Sequence, residues 1–134
     1  MNKIPVIKII EGKSDLYVSR KVLKYIRSFT EKTKNAYVNK VVKTLDNIAR
    51  ITGFNPMKSP AVRDEGDGVL RIGEKLKRII GFNTTVKKRF DFIAVDCFDK
   101  PDSRRSKDQS KKYKRATKIK KDAAWKVVTK EEYL

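Results

Sequence analysis

The chain contains no histidine and a single cysteine, Cys97. Without an imidazole there is no Ser-His-Asp triad, no histidine general base and no histidine-based metal site. One thiol forms no internal disulfide and no thiolate zinc cluster. Cys97 sits in an apolar run and reads as a buried structural thiol, which fits an intracellular, cytoplasmic location. Glycines are few, and none are arranged as a phosphate-binding loop; Gly66-Asp-Gly68 is a turn signal. No apolar run approaches the ~20 residues of a membrane helix. The opening stretch Met1–Ile10 is too short and too alternating to read as a signal peptide. Acidic residues are also scarce, 16 against 34 lysines and arginines, a formal net charge of +18. These absences exclude most cofactor, metal and membrane chemistry. Lysine, arginine, tyrosine and carboxylates are left to do any work, with no cofactor and no metal expected.

What is present is concentrated positive charge. The segment from Arg104 to Lys121 carries ten basic residues against one acid, Asp108, about half of the whole excess. It follows a strand-like run, Arg89 to Phe98. A cationic segment attached to the end of a sheet is a natural seat for a phosphate backbone. Its blander reading is a lysine-rich solvated helix.

The 134 residues suit one domain. Residues 3–10 alternate and are rich in Ile and Val, which predicts a strand, with Pro5 favouring a sheet edge. Ser14 is a fitting N-cap, and Leu16, Val18, Val22, Leu23, Ile26 and Phe29 predict one helical stripe. Val38, Val41, Val42, Leu45, Ile48 and Ala49 predict a second helix, stopped at Gly53. Core packing accounts for both stripes. The segment from Gly53 to Gly68 reads as irregular. Three short-linked strands are then expected at Val69–Ile72, Leu76–Phe82 and Arg89–Phe98, with turns at Gly73-Glu74 and Asn83–Val86. Short links favour antiparallel neighbours. Residues 107–121 are helix-compatible, with Tyr113, Ala116 and Lys120 roughly on one face. Trp125, Val127 and Val128 form a last apolar patch that either packs the tail back or joins an interface. The resulting fold class is α+β: a small antiparallel sheet with two N-terminal helices on one face and a basic C-terminal helix. The domain is expected over 1–121, with a C-terminal tail over 122–134.

Basic residues recur along the three-strand meander: Arg71, then Lys75, Lys77 and Arg78, then Lys87, Lys88 and Arg89. Alternation puts Leu76, Arg78 and Ile80 on one face and Lys77, Ile79 and Gly81 on the other. An arginine between apolar strand residues either snorkels from the core edge or points into a groove.

The runs DGVLRIGEKLKRIIGF, RFDFIAVDCFDK and KKYKRATKIKKD resemble the RelE/ParE toxin superfamily, and in particular its HigB-like branch. The resemblance spans roughly residues 3–121 and lies in topology and loose patterns rather than in an invariant motif. It implies the toxin of a type II toxin–antitoxin pair, a metal-independent endoribonuclease that cleaves mRNA, often at the ribosome. In such cleavage the RNA's own 2′-hydroxyl attacks, and cations stabilise the phosphorane. A lysine crowded by cations serves as a base, and a tyrosine stacks a nucleobase. Carried over by position, Arg71 and Arg78 match the basic residues of two meander strands and would meet transition-state charge. Lys77 or Lys107 would transfer a proton or contact phosphate, with Arg104 and Arg105 as alternatives to Lys107. Tyr113, three residues before Ala116, matches the terminal-helix tyrosine. Lys75, Lys87, Lys88, Arg104, Arg105, Lys111, Lys112, Lys114 and Arg115 would bind the nucleic-acid backbone. The implied partners are RNA or the ribosome and a neutralising antitoxin with an acidic segment. The chain departs from the branch in having no histidine near the site and a longer, more basic terminal segment.

Two other functions share the same charge. A non-catalytic nucleic-acid-binding protein, phage-encoded or ribosome-associated, needs only phosphate contacts, with Tyr113, Phe90 and Trp125 available for single strands. A ParE-like protein would inhibit DNA gyrase and leave RNA intact.

Overall fold

A computed structural model describes residues 2–11, 15–50, 62–74, 76–84, 91–99 and 107–129. In chain order the elements are β1 (Ile4–Ile10), β2 (Leu16–Ser19), α1 (Arg20–Arg27), α2 (Glu31–Arg50), β3 (Val62–Asp64), β4 (Val69–Glu74), β5 (Lys77–Thr84), β6 (Asp91–Asp99), α3 (Lys107–Lys121) and β7 (Trp125–Val127). The strands form one sheet in the order β3-β4-β5-β6-β2-β1-β7. The β2–β6 and β1–β7 pairs are parallel and the rest antiparallel. The fold is thus α+β, with two helices before the meander and one after it, and the sheet is mixed and wider than the sequence reading.

Strand alternation divides the core in two. On β6, Phe92 and Ala94 face one side, in the same core as Val22 and Ile26 of α1 and Tyr37 and Val41 of α2. Ile93 and Val95 face the other side, beneath Tyr113, Ala116 and Ile119 of α3. Both faces of β6 are buried, so the strand reads as a continuous apolar run.

Several boundaries differ from the sequence reading. Leu16–Ser19 is a strand, not the first turn of a helix. Leu16 and Val18 are two residues apart, the strand spacing, and both enter the core shared with α1 and α2. Helix α1 begins at Arg20, where the Ser19 side chain accepts a hydrogen bond from the Val22 N–H at 3.4 Å. Pro5 lies in the penultimate strand, not at an edge. The β1–β2 pairing begins at Val6↔Ser19, so the missing N–H of Pro5 faces the end of β2 and breaks no rung. The expected turn at Gly73-Glu74 is part of β4, since Gly73 pairs with Arg78 and Glu74 with Lys77. Likewise β5 continues through Asn83 and Thr84. The reading found neither β3 nor β7; each is three residues long, below the length at which alternation is visible. The apolar tail patch packs back as β7: Ile4 N–H reaches the Ala124 carbonyl at 2.9 Å and Val128 N–H the Val6 carbonyl at 3.0 Å. Cys97 is buried. The proposed cap Ser14 and stop Gly53 lie outside the described residues. No helix among the described residues is long and apolar enough to cross a membrane.

Candidate nucleic-acid interface

Helix α3 is built from helix-favouring Lys, Arg, Gln and Ala, with Gln109, Tyr113, Ala116 and Ile119 buried at spacings of four, three and three. This stripe packs on the sheet face opposite α1 and α2. The helix ends in a Schellman turn. Ala124 N–H bonds the Ile119 carbonyl (2.9 Å) and Ala123 N–H the Lys120 carbonyl (3.2 Å), with Ala123 held left-handed at φ 47°.

Charge pins the helix down. Asp96 of β6 is buried and meets three cations: Lys21 at 2.7 Å, Lys112 at 3.5 Å and Arg115 at 3.6 Å. Lys112 also donates to the Cys97 carbonyl at 2.9 Å. Burial lowers the pKa of Lys21, yet the Asp96 carboxylate outweighs it and holds the ammonium above its ordinary value. Near the other end, Lys120 donates to the Asp67 carbonyl at 2.8 Å. That turn, Gly66-Asp67-Gly68, takes positive φ at all three residues.

With the underside anchored, Lys111, Lys114, Lys118 and Lys121 are exposed. Their spacing of three, four and three places them in one row along the helix. Among the described residues, none of the four forms a salt bridge.

Two arginines of the meander lie on the same face of the sheet. Arg71 is paired with Ile80, and Ile80 belongs to the core under α3. Arg78 pairs with Gly73 on one side and Phe98 on the other. Its side chain lies across β4 because Gly73 has no Cβ; one built there would collide with Arg78 Cδ. Arg78 Nη1 donates to the Lys77 carbonyl at 2.9 Å. Burial, then the nearby charge of Arg71, push the Arg78 pKa below its usual value. Arg63, on β3 opposite Arg71, extends the group. Glu65 is its counter-charge, with Oε1 3.8 Å from Arg71 Nε and 3.9 Å from Arg63 Nε.

The sequence-predicted residues are only partly assembled. Arg71, Arg78 and Tyr113 share the α3 side of the sheet. Tyr113, however, is only 3% exposed and meets Phe98 edge-on at 6.3 Å. Stacking on a nucleobase would require that ring to leave its packing. Lys77 is on the opposite face. Its ammonium is 3.0 Å from Asp99 and sits 4.9 Å from the Phe29 ring centroid. Tyr25 donates to the same Asp99 carboxylate at 2.6 Å. That hydrogen bond, with Lys77, keeps the Asp99 carboxyl below the ordinary range despite its partial burial. The Tyr25 phenol is raised by burial and by Asp99. Burial and the adjacent Asp96 push the Cys97 thiol up to about 11, which leaves it protonated at neutral pH.

Of the residues expected to bind the backbone, Lys111 and Lys114 lie in the exposed row, while Lys112 and Arg115 are drawn toward Asp96. The Lys107 side chain and Lys75, Lys87, Lys88, Arg104 and Arg105 fall outside the described residues. The sequence reading missed Lys118 and Lys121 in the row, Arg63 beside Arg71, and the anchor Asp96. The three-four-three lysine spacing was visible in the sequence; the partners of Arg63 and Asp96 were not. Among the described residues no cluster of acids and cysteine is suited to a metal ion. The chain matches no protein family, and no curated protein is similar to it in sequence.

Proposed function

We propose that the protein binds nucleic acid, RNA foremost, through the face formed by α3 with Arg71 and Arg78 beside it. The observation that carries this reading is the lysine row at 111, 114, 118 and 121, exposed on a helix whose Lys112 and Arg115 are drawn to Asp96 beneath it. Each phosphate neutralised releases counterions, so affinity falls steeply with salt. Anisotropy titration of a labelled RNA at rising salt tests this. The expected slope of log K against log salt is about −3 to −4 for four lysine contacts. Replacing all four lysines by alanine should abolish most of the binding, and a wild-type protein that fails to bind at low salt would refute the reading.

A second reading goes one step further, to the metal-independent mRNA endoribonuclease of a HigB-like toxin, with an acidic antitoxin as partner. Its support is the placement of Arg71 and Arg78 on the α3 face, where burial first and the charge of Arg71 second lower the Arg78 pKa, a setting suited to phosphorane charge. Induced expression with growth and mRNA 5′-end mapping tests it. Arrest with new RNA ends, lost in Arg78→Ala, supports cleavage. Arrest with intact mRNA points to gyrase or another protein target. Unimpaired growth leaves binding alone.

A further inference from the structure

The lysine row is aimed at a particular form of nucleic acid. We infer that the α3 face takes the sugar–phosphate backbone of a double helix, without reading its sequence, rather than a single strand; this rests on the nucleic-acid reading above.

The first ground is the state of the aromatic rings. Single strands are held largely by bases stacking on exposed aromatic faces. Around α3, among the described residues, the rings of Tyr113 and Phe82 are buried and those of Phe98 and Trp125 are half-buried against them. Tyr113 packs edge-on to Phe98, and Phe82 is buried with Trp125 tilted against it at 6.4 Å.

The second ground is what the exposed face does present. Lys111, Lys114, Lys118 and Lys121 end in ammonium groups, point charges suited to phosphate. Base edges are read mostly by arginine, asparagine and glutamine in bidentate pairs. The glutamine of this helix, Gln109, is buried against the sheet, and Arg115 is turned toward Asp96.

The third ground is rigidity. From Lys111 to Lys121 the row runs over ten residue steps, about 15 Å at 1.5 Å per residue. The helix beneath it is fixed at Asp96, at the Ile119 stripe and at the Asp67 carbonyl. A fixed row of cations is matched by a fixed array of phosphates. A duplex supplies one, with a charge every ~1.7 Å of axis. A flexible single strand must be ordered to fit, at a cost in chain entropy.

The test compares four labelled probes on the purified full chain at one salt concentration: a 20-base-pair RNA duplex, the same duplex with scrambled sequence, a DNA duplex of equal length, and an unstructured oligouridylate. The expected result is duplex binding at least tenfold tighter than oligouridylate, unchanged by scrambling and lost in the four-lysine alanine variant. Either duplex, RNA or DNA, outranking the single strand supports the inference. Oligouridylate binding as tightly as the duplexes would overturn it while leaving nucleic-acid binding intact. A preference for one sequence over its scramble would overturn backbone-only recognition. Failure of all four probes would remove the nucleic-acid reading itself.

Discussion

The two faces of the sheet use positive charge in opposite ways. Under α1 and α2, Lys77 is enclosed: it pairs with Asp99, lies over Phe29 and is tied through Asp99 to Tyr25. Under α3 the buried carboxylate Asp96 satisfies Lys112 and Arg115, and the surplus cations stand outward. Adjacent residues of one strand, Lys77 and Arg78, fall on different sides of this divide. A cation's contribution therefore depends on whether an acid shares its face, and composition alone does not reveal that.

The contrast can be broken by mutation. The largest effect is expected on the side that carries α1 and α2. Phe92→Ala empties a fully buried site and should cost about 3–5 kcal/mol in urea unfolding. RNA affinity of the folded fraction should be unchanged. Asp96→Asn, on the other face, should cost about 2–3 kcal/mol. That is less than a fully buried pair, because Lys21 and Arg115 reach water. Hydrogen exchange should show α3 amides losing protection while α2 amides keep theirs.

Neighbouring substitutions sharpen the comparison. Lys77→Ala should cost up to about 1 kcal/mol of stability and leave RNA binding alone. Arg78→Ala should do the reverse, weakening RNA binding with little change in unfolding midpoint. Equal effects on binding would erase the distinction between the faces. A smaller gain is expected at the end of α3. Ala123→Gly relieves a left-handed backbone and should add about 0.5–1 kcal/mol, visible as a higher Tm.

The smallest effect concerns pH. The Asp99 carboxyl is held below its ordinary value by Tyr25 and Lys77. Its contribution to stability is full above an unfolded pKa of about 3.9 and is lost as pH falls through the lower folded value. Because Asp99 is more than half exposed, the slope should be shallow. Asp99→Asn should flatten it in acid unfolding curves.

The fold class, both N-terminal helices, the meander and the basic helix were legible from periodicity, because each element is long enough to repeat its pattern. Strand β2 was misread because four residues next to a helical stripe fit either period. The three-residue strands β3 and β7 owe their existence to pairing with β4 and with β1, the latter more than a hundred residues away in sequence. For the candidate site, the cluster of cations and the alternation of Lys77 with Arg78 were visible, but the buried state of Tyr113 was not. An aromatic among lysines looks exposed until the sheet beneath it is in place.

The sequence by itself determined that this protein carries a large positive charge, lacks imidazole chemistry and folds as helices and strands in a recognisable order. Those properties are local: they depend on residue types and on spacings of two, three or four along the chain. Tertiary structure alone decided which cations are spent and which remain. That outcome rests on the burial of Asp96 under α3 and the placement of Asp99 on the other face. Asp96 comes within 2.7–3.6 Å of cations from α1 and α3, and Asp99 within 3.0 Å of Lys77; at such distances Coulomb attraction is strong enough to choose a partner.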